Sequence, residues 1–310
     1  MILSITLNPS IDISYRLPVF QLDEANRCSE VNKTAGGKGL NVSRILSQAG
    51  EDVLASGLVG GSNGKSIQKL LSLSRVTHDF LITNKESRNC IAILHEDKQT
   101  EILEPGPKFT QTEENLFLEK SRRLMSGKMV QTLSGSLPRG ISPNIYATLI
   151  EMGNKSGLKT LLDCSGPPLR KALESPHKPF LIKPNLYELN QLLGGGIDCD
   201  PVQIKQALCN ELFTGIDWII ITLGEKGAFV RRKNQDFLVS IPNIQTVNPV
   251  GSGDSVIAGM ALSFVRRKND EDAIKTGMAF GILNALEAQT GHVDIKKFDS
   301  YFSQIKIEEC

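Results

Sequence analysis

Asn248-Pro249-Val250-Gly251-Ser252-Gly253-Asp254 is followed at once by apolar residues at helical spacing: Val256, Ile257, Met260, Ala261 and Phe264. Three small residues in a row let the main chain turn tightly and aim several N–H groups at one point. That geometry holds an anion at a helix N-terminus. Asp254 then falls in the first helical turn, beside whatever the cradle binds, where a carboxylate can accept a hydroxyl proton. Taken alone, the stretch is explained equally well by a capped helix, because aspartate is a preferred N-cap residue.

A second stretch, Gly36-Gly37-Lys38-Gly39-Leu40-Asn41, repeats the arrangement ahead of Val42, Ile45, Leu46 and Ala49. It is not a Walker A loop, since Gly37-Lys38 is followed by Gly39 and not by Ser or Thr. Nor is it a dinucleotide fingerprint, because Val42 stands where the third glycine belongs. A lone Gly-Gly is usually an ordinary turn. Two glycine-rich turns, each opening a helix, point to two phosphate-bearing groups.

Between these stretches short apolar runs alternate with helical patterns. Strands are expected at Ile2 to Leu7, Val53 to Leu58, Met129 to Leu133, Lys159 to Asp163, Phe180 to Lys183 and Trp218 to Thr222. Helices are expected at Lys38 to Ala49, Gly64 to Ser72, Thr112 to Met125, Ile145 to Lys155 and Leu186 to Leu193. The βαβα order predicts an α/β layered fold with a mostly parallel sheet. Segments 11–33 and 89–103 interrupt it with strand-like patterns, the second as a hairpin around Glu96-Asp97-Lys98, and together suit a small flap over a site. Linkers, charge blocks and internal repeats are missing, so residues 1–310 are expected to form one domain.

Together these stretches resemble the ribokinase-like (PfkB) carbohydrate kinases nearly end to end. The early glycine-rich segment, with Gly50 and Gly60 behind it, resembles the family's N-terminal signature; Asn248 to Met260 resembles the C-terminal one, and Asn185-Leu186-Tyr187-Glu188 its Asn-x-x-Glu motif. Leu7 to Asp12 and Ser134-Gly135-Ser136-Leu137-Pro138 are similar to the branch that phosphorylates sugar phosphates. Thr34 to Asn41, Arg88 to His95 and Asn248 to Asp254 are similar to the group within it that acts on tagatose 6-phosphate in lactose and galactose breakdown. Pro249 is usually missing from the neighbouring 1-phosphofructokinases.

The resemblance implies a three-layer α/β/α sandwich with a β lid that also forms a homodimer contact. It implies ATP and Mg²⁺, leaves room for a monovalent cation, and assigns residues. Asp254 is the base, with Gly251, Ser252 and Gly253 receiving the charge of the transferred group. Asp12 and Asn41 take sugar hydroxyls, although Asp12 also reads as a turn aspartate and Asn41 as a cap. Lys38, Arg88 and Arg27 are the cations for the sugar phosphate, with Ser136, Gly36 and Gly37 beside them. Lys183, Asn185 and Glu188 serve the nucleotide, the last two meeting Mg²⁺ indirectly through water and phosphates. Thr222, Gly224 and Gly227 pass near the nucleotide, and Gly281 and Asn284 belong to its adenine-side wall or to ordinary helix packing.

Composition fits without deciding. The 35 Lys and Arg against 34 Asp and Glu give no reason to expect nucleic acid or a membrane surface as partner. The six cysteines have no C-x-x-C spacing and the four histidines form no H-x-x-x-H pair, so reduced thiols and no transition-metal site are expected. Met1 to Leu7 lacks the lead-in of a signal peptide, which predicts a cytoplasmic protein. A protein that kept the pocket but lost catalysis is the rival from another class; Asp254 and the Gly251 to Gly253 cradle weigh against it.

Overall fold

The apolar runs become strands and the helical patterns become helices in a computed structural model that describes residues 1–96 and 98–310. In chain order the strands are β1 (Ile2–Thr6), β2 (Ser10–Arg16), β3 (Glu30–Gly36), β4 (Val53–Gly60), β5 (Thr77–His78), β6 (Leu81–Thr83), β7 (Arg88–His95), β8 (Lys98–Leu103), β9 (Val130–Ser134), β10 (Lys159–Asp163), β11 (Leu181–Ile182), β12 (Trp218–Thr222), β13 (Ala228–Arg232), β14 (Gln235–Ser240) and β15 (Lys306–Glu309). The helices are α1 (Lys38–Gln48), α2 (Gly61–Leu73), α3 (Gln111–Leu124), α4 (Ile145–Lys155), α5 (Gly166–Glu174), α6 (Leu186–Leu193), α7 (Pro201–Ala207), α8 (Ser252–Val265), α9 (Asp270–Ala285) and α10 (Phe298–Phe302).

Strands β12, β11, β10, β9, β1 and β4 lie side by side and parallel, with β5 and β6 both added parallel to β4. From β12 the sheet continues antiparallel through β13, β14 and β15. Alternate residues of each strand feed opposite cores, as the pleat requires. Ile2, Trp218 and Ile220 pack with Leu40, Ile67, Ile257 and Phe280 of α1, α2, α8 and α9. Leu3, Ile5, Ile219 and Ile221 pack with Phe117, Tyr146, Leu169, Leu189 and Ile204 of α3 to α7. Each such buried side chain contributes about 1.5–3 kcal/mol. The result is the expected three-layer α/β/α sandwich of ribokinase-like type.

The two interrupting segments form a sheet of their own, in the order β3-β2-β7-β8. Its centre is the parallel pair β2 and β7, in which Asp12 lies opposite Cys90. β3 and β8 flank it antiparallel, and every residue of β8 is exposed. The expected hairpin is there as β7 and β8; Asp97, which that expectation included, lies outside the described residues. β3 runs further than expected, to Gly36, so the lid sheet leads straight into the glycine-rich turn and α1. β11 is shorter than expected, because Pro184 has no N–H with which to extend its ladder.

Candidate active site

β1, β9, β10, β11 and β12 end on one rim, the place where open α/β sheets bind ligands. Residues of that rim, of the lid sheet and of α8 and α9 line a cleft of about 850 Å³. Asp12, Gly37, Lys38, Asn41, Arg88, Ser136, Lys183, Asn185, Glu188, Thr222, Gly224, Gly227, Gly251, Ser252, Gly253, Asp254 and Gly281 all face it.

At the centre is the N-terminus of α8. Gly251 is its N-cap, with φ of 85°, a left-handed conformation in which a side chain would also meet Thr290 Cγ2 at 2.7 Å. Asp254 is the third helical residue and is buried, with Asn41 Nδ2 donating to its Oδ2 at 2.7 Å. Burial, together with the negative charge of Asp163, pushes the Asp254 carboxyl up to about 6, while Lys38, the Asn41 hydrogen bond and Lys183 hold it down. A carboxylate so placed is ionised at neutral pH and ready to take a proton. The cradle differs in one donor from expectation: Ser252 N–H is turned onto Pro249 O at 3.2 Å, closing the Pro249 to Ser252 turn. Among the described residues, the N–H groups of Gly251, Gly253 and Asp254 have no protein acceptor, as the first turn of a helix leaves them.

Lys38 and Lys183 meet at Asp163, which sequence reasoning passed over as the end of a strand. Lys38 Nζ lies 3.3 Å and Lys183 Nζ 3.6 Å from its Oδ1. Burial would raise this carboxyl, but the two ammonium groups bring it below the usual carboxylate range. Asp163 raises Lys38 in turn. Lys38 also lies 3.8 Å from Glu188 Oε1, so its ammonium rests among carboxylates at the cradle. A polar residue ending an apolar strand on the binding rim was the available signal for Asp163. Asn185 and Glu188 form a capping box at the start of α6: Asn185 Oδ1 accepts Glu188 N–H at 2.8 Å, and Glu188 Oε2 accepts Asn185 N–H at 2.9 Å.

On the lid side, Ser10 Oγ donates to Asp12 Oδ1 at 2.6 Å, and burial raises the Asp12 carboxyl against the pull of Ser10, Arg44 and Arg88. Arg88 donates to Asn8 O at 3.1 Å and Glu104 O at 2.9 Å, which fixes its guanidinium at the lid edge. Asn8 Nδ2 reaches Ser136 Oγ at 3.4 Å. Lid residues Asn32, Cys90, Gln99 and Glu101 also line the cleft and were not anticipated, since sparse polar positions on a short strand carry no motif.

Three expected site residues do not line the cleft. Arg27 is exposed in the segment between β2 and β3. Gly36 lies behind Asp12, and a Cβ there would stand 1.9 Å from the carboxylate, so it shapes the site by having no side chain. Asn284 is fully buried and braces the cradle, donating to Val250 O at 2.8 Å and accepting Gly291 N–H at 2.9 Å. The wall beyond Gly281 is apolar, formed by Ile241, Pro242, Ile244, Met278 and Ile282.

A helix N-terminus with free N–H groups, a buried carboxylate of raised pKa and paired lysines under a lid define a small-molecule phosphotransferase site. The chain belongs to the pfkB family of carbohydrate kinases, whose model matches residues 4–297. Among solved structures it is similar to phosphofructokinase-2 of Escherichia coli in complex with potassium, at 25% identity and a TM-score of 0.90 over 97% of this chain and 98% of that one. It is also similar to a Staphylococcus aureus protein provisionally named a phosphofructokinase, with 28% identity, a TM-score of 0.84, and 100% and 99% coverage. A Thermotoga maritima protein provisionally named a 1-phosphofructokinase matches at 25% identity and a TM-score of 0.86, over 100% of this chain and 99% of that one. Among the described residues no helix is long and apolar enough to cross a membrane.

Proposed function

We propose that the chain transfers the γ-phosphoryl group of ATP to the C1 hydroxyl of D-tagatose 6-phosphate, giving D-tagatose 1,6-bisphosphate. The observation that carries this reading is the pairing of buried Asp254 with the free N–H groups of Gly251 and Gly253, facing a lid that presents Arg88 and Asp12. Asp254 accepts the C1 hydroxyl proton as the oxygen attacks. The cradle N–H groups and Lys38 receive the charge that develops on the transferred group. Lys183, anchored on Asp163, steadies the nucleotide phosphates. Arg88 pairs with the 6-phosphate, and Asp12 accepts from sugar hydroxyls.

The residues fit Mg²⁺ carried by ATP. Glu188 has one oxygen committed to the capping box and the other turned to Lys38, and among the described residues no group of three His, Cys, Asp or Glu could cage a metal. Glu188 and Asn185, both through water and phosphates, would hold the ion, which when bound neutralises phosphate charge. A monovalent cation remains part of the proposal, supported by the potassium complex of the E. coli relative.

A second reading, phosphorylation of fructose 1-phosphate, is favoured by the likeness to the T. maritima protein. Tagatose 6-phosphate and fructose 6-phosphate differ in one hydroxyl configuration, worth little in binding unless a buried group reads it, whereas fructose 1-phosphate carries its phosphate on C1 and offers its C6 hydroxyl instead. Steady-state kinetics with tagatose 6-phosphate, fructose 6-phosphate and fructose 1-phosphate separates these readings. Highest kcat/KM for tagatose 6-phosphate supports the first, and highest kcat/KM for fructose 1-phosphate replaces it with the second. ATP turnover independent of every sugar phosphate would discard both.

A further inference from the structure

Arg44 is a charged residue buried in α1, 4% exposed, and among the described residues all of its hydrogen bonds go to uncharged oxygens. Nη1 donates to Ala35 O, the penultimate residue of lid strand β3. Nη2 donates to Asn41 Oδ1 at 2.7 Å and to Thr290 O at 2.8 Å. A guanidinium without a bound carboxylate is an expensive group to bury. A leucine or methionine would fill the same helical position at lower cost, so the charge and the fork call for a reason.

The reason lies one residue further on. An asparagine amide has two ends of nearly equal shape, one donating and one accepting, and nothing in Asn41 itself chooses between them. Arg44 is donor-only and therefore binds the oxygen end, which leaves Nδ2 to face Asp254 Oδ2 at 2.7 Å. With the amide reversed, two oxygens would oppose each other at the base. We infer that Arg44 is a positioning residue for the base: it fixes the orientation of the Asn41 amide toward Asp254 and ties that orientation to the inner end of lid strand β3 and to the loop behind the cradle.

Gly291 supports the same assignment. A Cβ at Gly291 would stand 2.5 Å from Arg44 Nη2 and 3.0 Å from Asn41 Oδ1, so the backbone beside the fork is kept bare to admit it. Desolvation brings the Arg44 guanidinium down to about 10, with Asp12 and Asp254 opposing. The charged groups facing Asp254 are Lys38 and Arg44 from α1, Asp163 from β10 and Lys183 beyond β11. Lys38, Asp163 and Lys183 are untouched by a change at Arg44.

The inference rests on Asp254 being the base, and its test is a double-mutant cycle with Asp254→Asn run alongside. Arg44→Met should lower kcat about tenfold or more, leave both KM values within about twofold, and move the acid limb of the kcat/KM profile to higher pH, because a carboxylate that loses a donor is easier to protonate. Combined with Asn41→Ala it should lower kcat no further than Asn41→Ala alone. Should Arg44→Met not accumulate as folded protein, Arg44→Lys reads the same cycle, since a single ammonium cannot span Ala35 O, Asn41 Oδ1 and Thr290 O together. Unchanged kcat per folded molecule in the Arg44 variant, or losses that multiply with those of Asn41→Ala, overturns the inference. If Asp254→Asn itself keeps turnover, the reading of the base falls first and independently.

Discussion

Asn41 and Asp254, at the starts of two helices that pack side by side, meet through a 2.7 Å hydrogen bond from Asn41 Nδ2 to Asp254 Oδ2. The two glycine-rich turns thus converge on one carboxylate. α1 arrives from the lid through β3 and Gly36; α8 arrives from the loop that Asn248 and Asn284 brace. In the proposed mechanism this places the base between the sheet that would cover the sugar and the turn that would cradle the transferred phosphoryl group.

Asp254→Asn keeps size and polarity but removes the proton acceptor. Turnover should fall by about two to four orders of magnitude, with the affinity for either substrate changed far less. Near-normal turnover of the purified variant at saturating substrates would remove Asp254 from the role of base.

The pH dependence follows from the same residue. Its carboxyl is pushed up to about 6, chiefly by burial, so it is protonated and inactive below that pH and ionised above it. kcat/KM should therefore rise through about pH 6 and level off toward pH 7. Lys38 lowers the Asp254 carboxyl, so Lys38→Met should shift the rise to higher pH while also reducing the plateau. A profile flat from pH 5 to 7 would contradict the assignment.

Much of this site was legible as sequence because it depends on local rules. A run of small residues before an apolar helix can be read from spacing alone, whereas a polar residue at the end of a parallel strand, as Asp163 is, carries a weaker signal and was passed over. Three kinds of feature were not legible. Arg44 belongs to no motif, and only the fold shows that its side of α1 faces the lid junction. Asn284 reads as adenine wall or as ordinary helix packing, and only the fold shows its amide holding the loop from behind. The strands β13 to β15 carry charged residues such as Arg231, Arg232 and Glu308 at the sheet's far edge, which blurs the apolar run that marks a buried strand.

Asn185 and Glu188 have a role that needs no ligand, which allows the structural and nucleotide contributions to be separated. Asn185→Ala should cost about 1 kcal/mol of stability with or without nucleotide, as loss of an N-cap does. Glu188→Gln keeps an acceptor for Asn185 N–H but loses the charge facing Lys38. Thermal unfolding should register the first variant more than the second, and the Mg²⁺ concentration for half-maximal activity should rise more in the second. Equal Mg²⁺ dependence in Glu188→Gln and the parent would take Glu188 out of the metal proposal.

Arg88 is anchored by two backbone carbonyls and faces the cleft from the lid edge, whereas Lys38 rests among carboxylates at the cradle. Arg88→Ala should weaken sugar-phosphate binding by about 1.5–3 kcal/mol, the worth of a charge-assisted hydrogen bond, and leave ATP binding almost untouched. Titration calorimetry with each substrate separately reads the split. A loss falling mainly on ATP would transfer Arg88 to the nucleotide side.

The lid itself is the last expectation. The sheet β3-β2-β7-β8 contributes Asp12, Arg88, Asn32 and Glu101 to the cleft, while β8 is exposed along its whole length. A sheet with so little of its surface buried opens more easily than the central strands, which are packed on both faces. Bound sugar phosphate supplies the counter-charge for Arg88 and acceptors and donors for Asp12 and Asn32, so it should favour the ordered lid. Amide hydrogen exchange in segments 11–33 and 89–103 should accordingly slow on adding tagatose 6-phosphate, more than in β1, β9 or β10, whose exchange is slow already. Identical exchange in those segments with and without saturating substrate would show a lid that is rigid from the start, and the sugar would then have to enter a site already closed to its final shape.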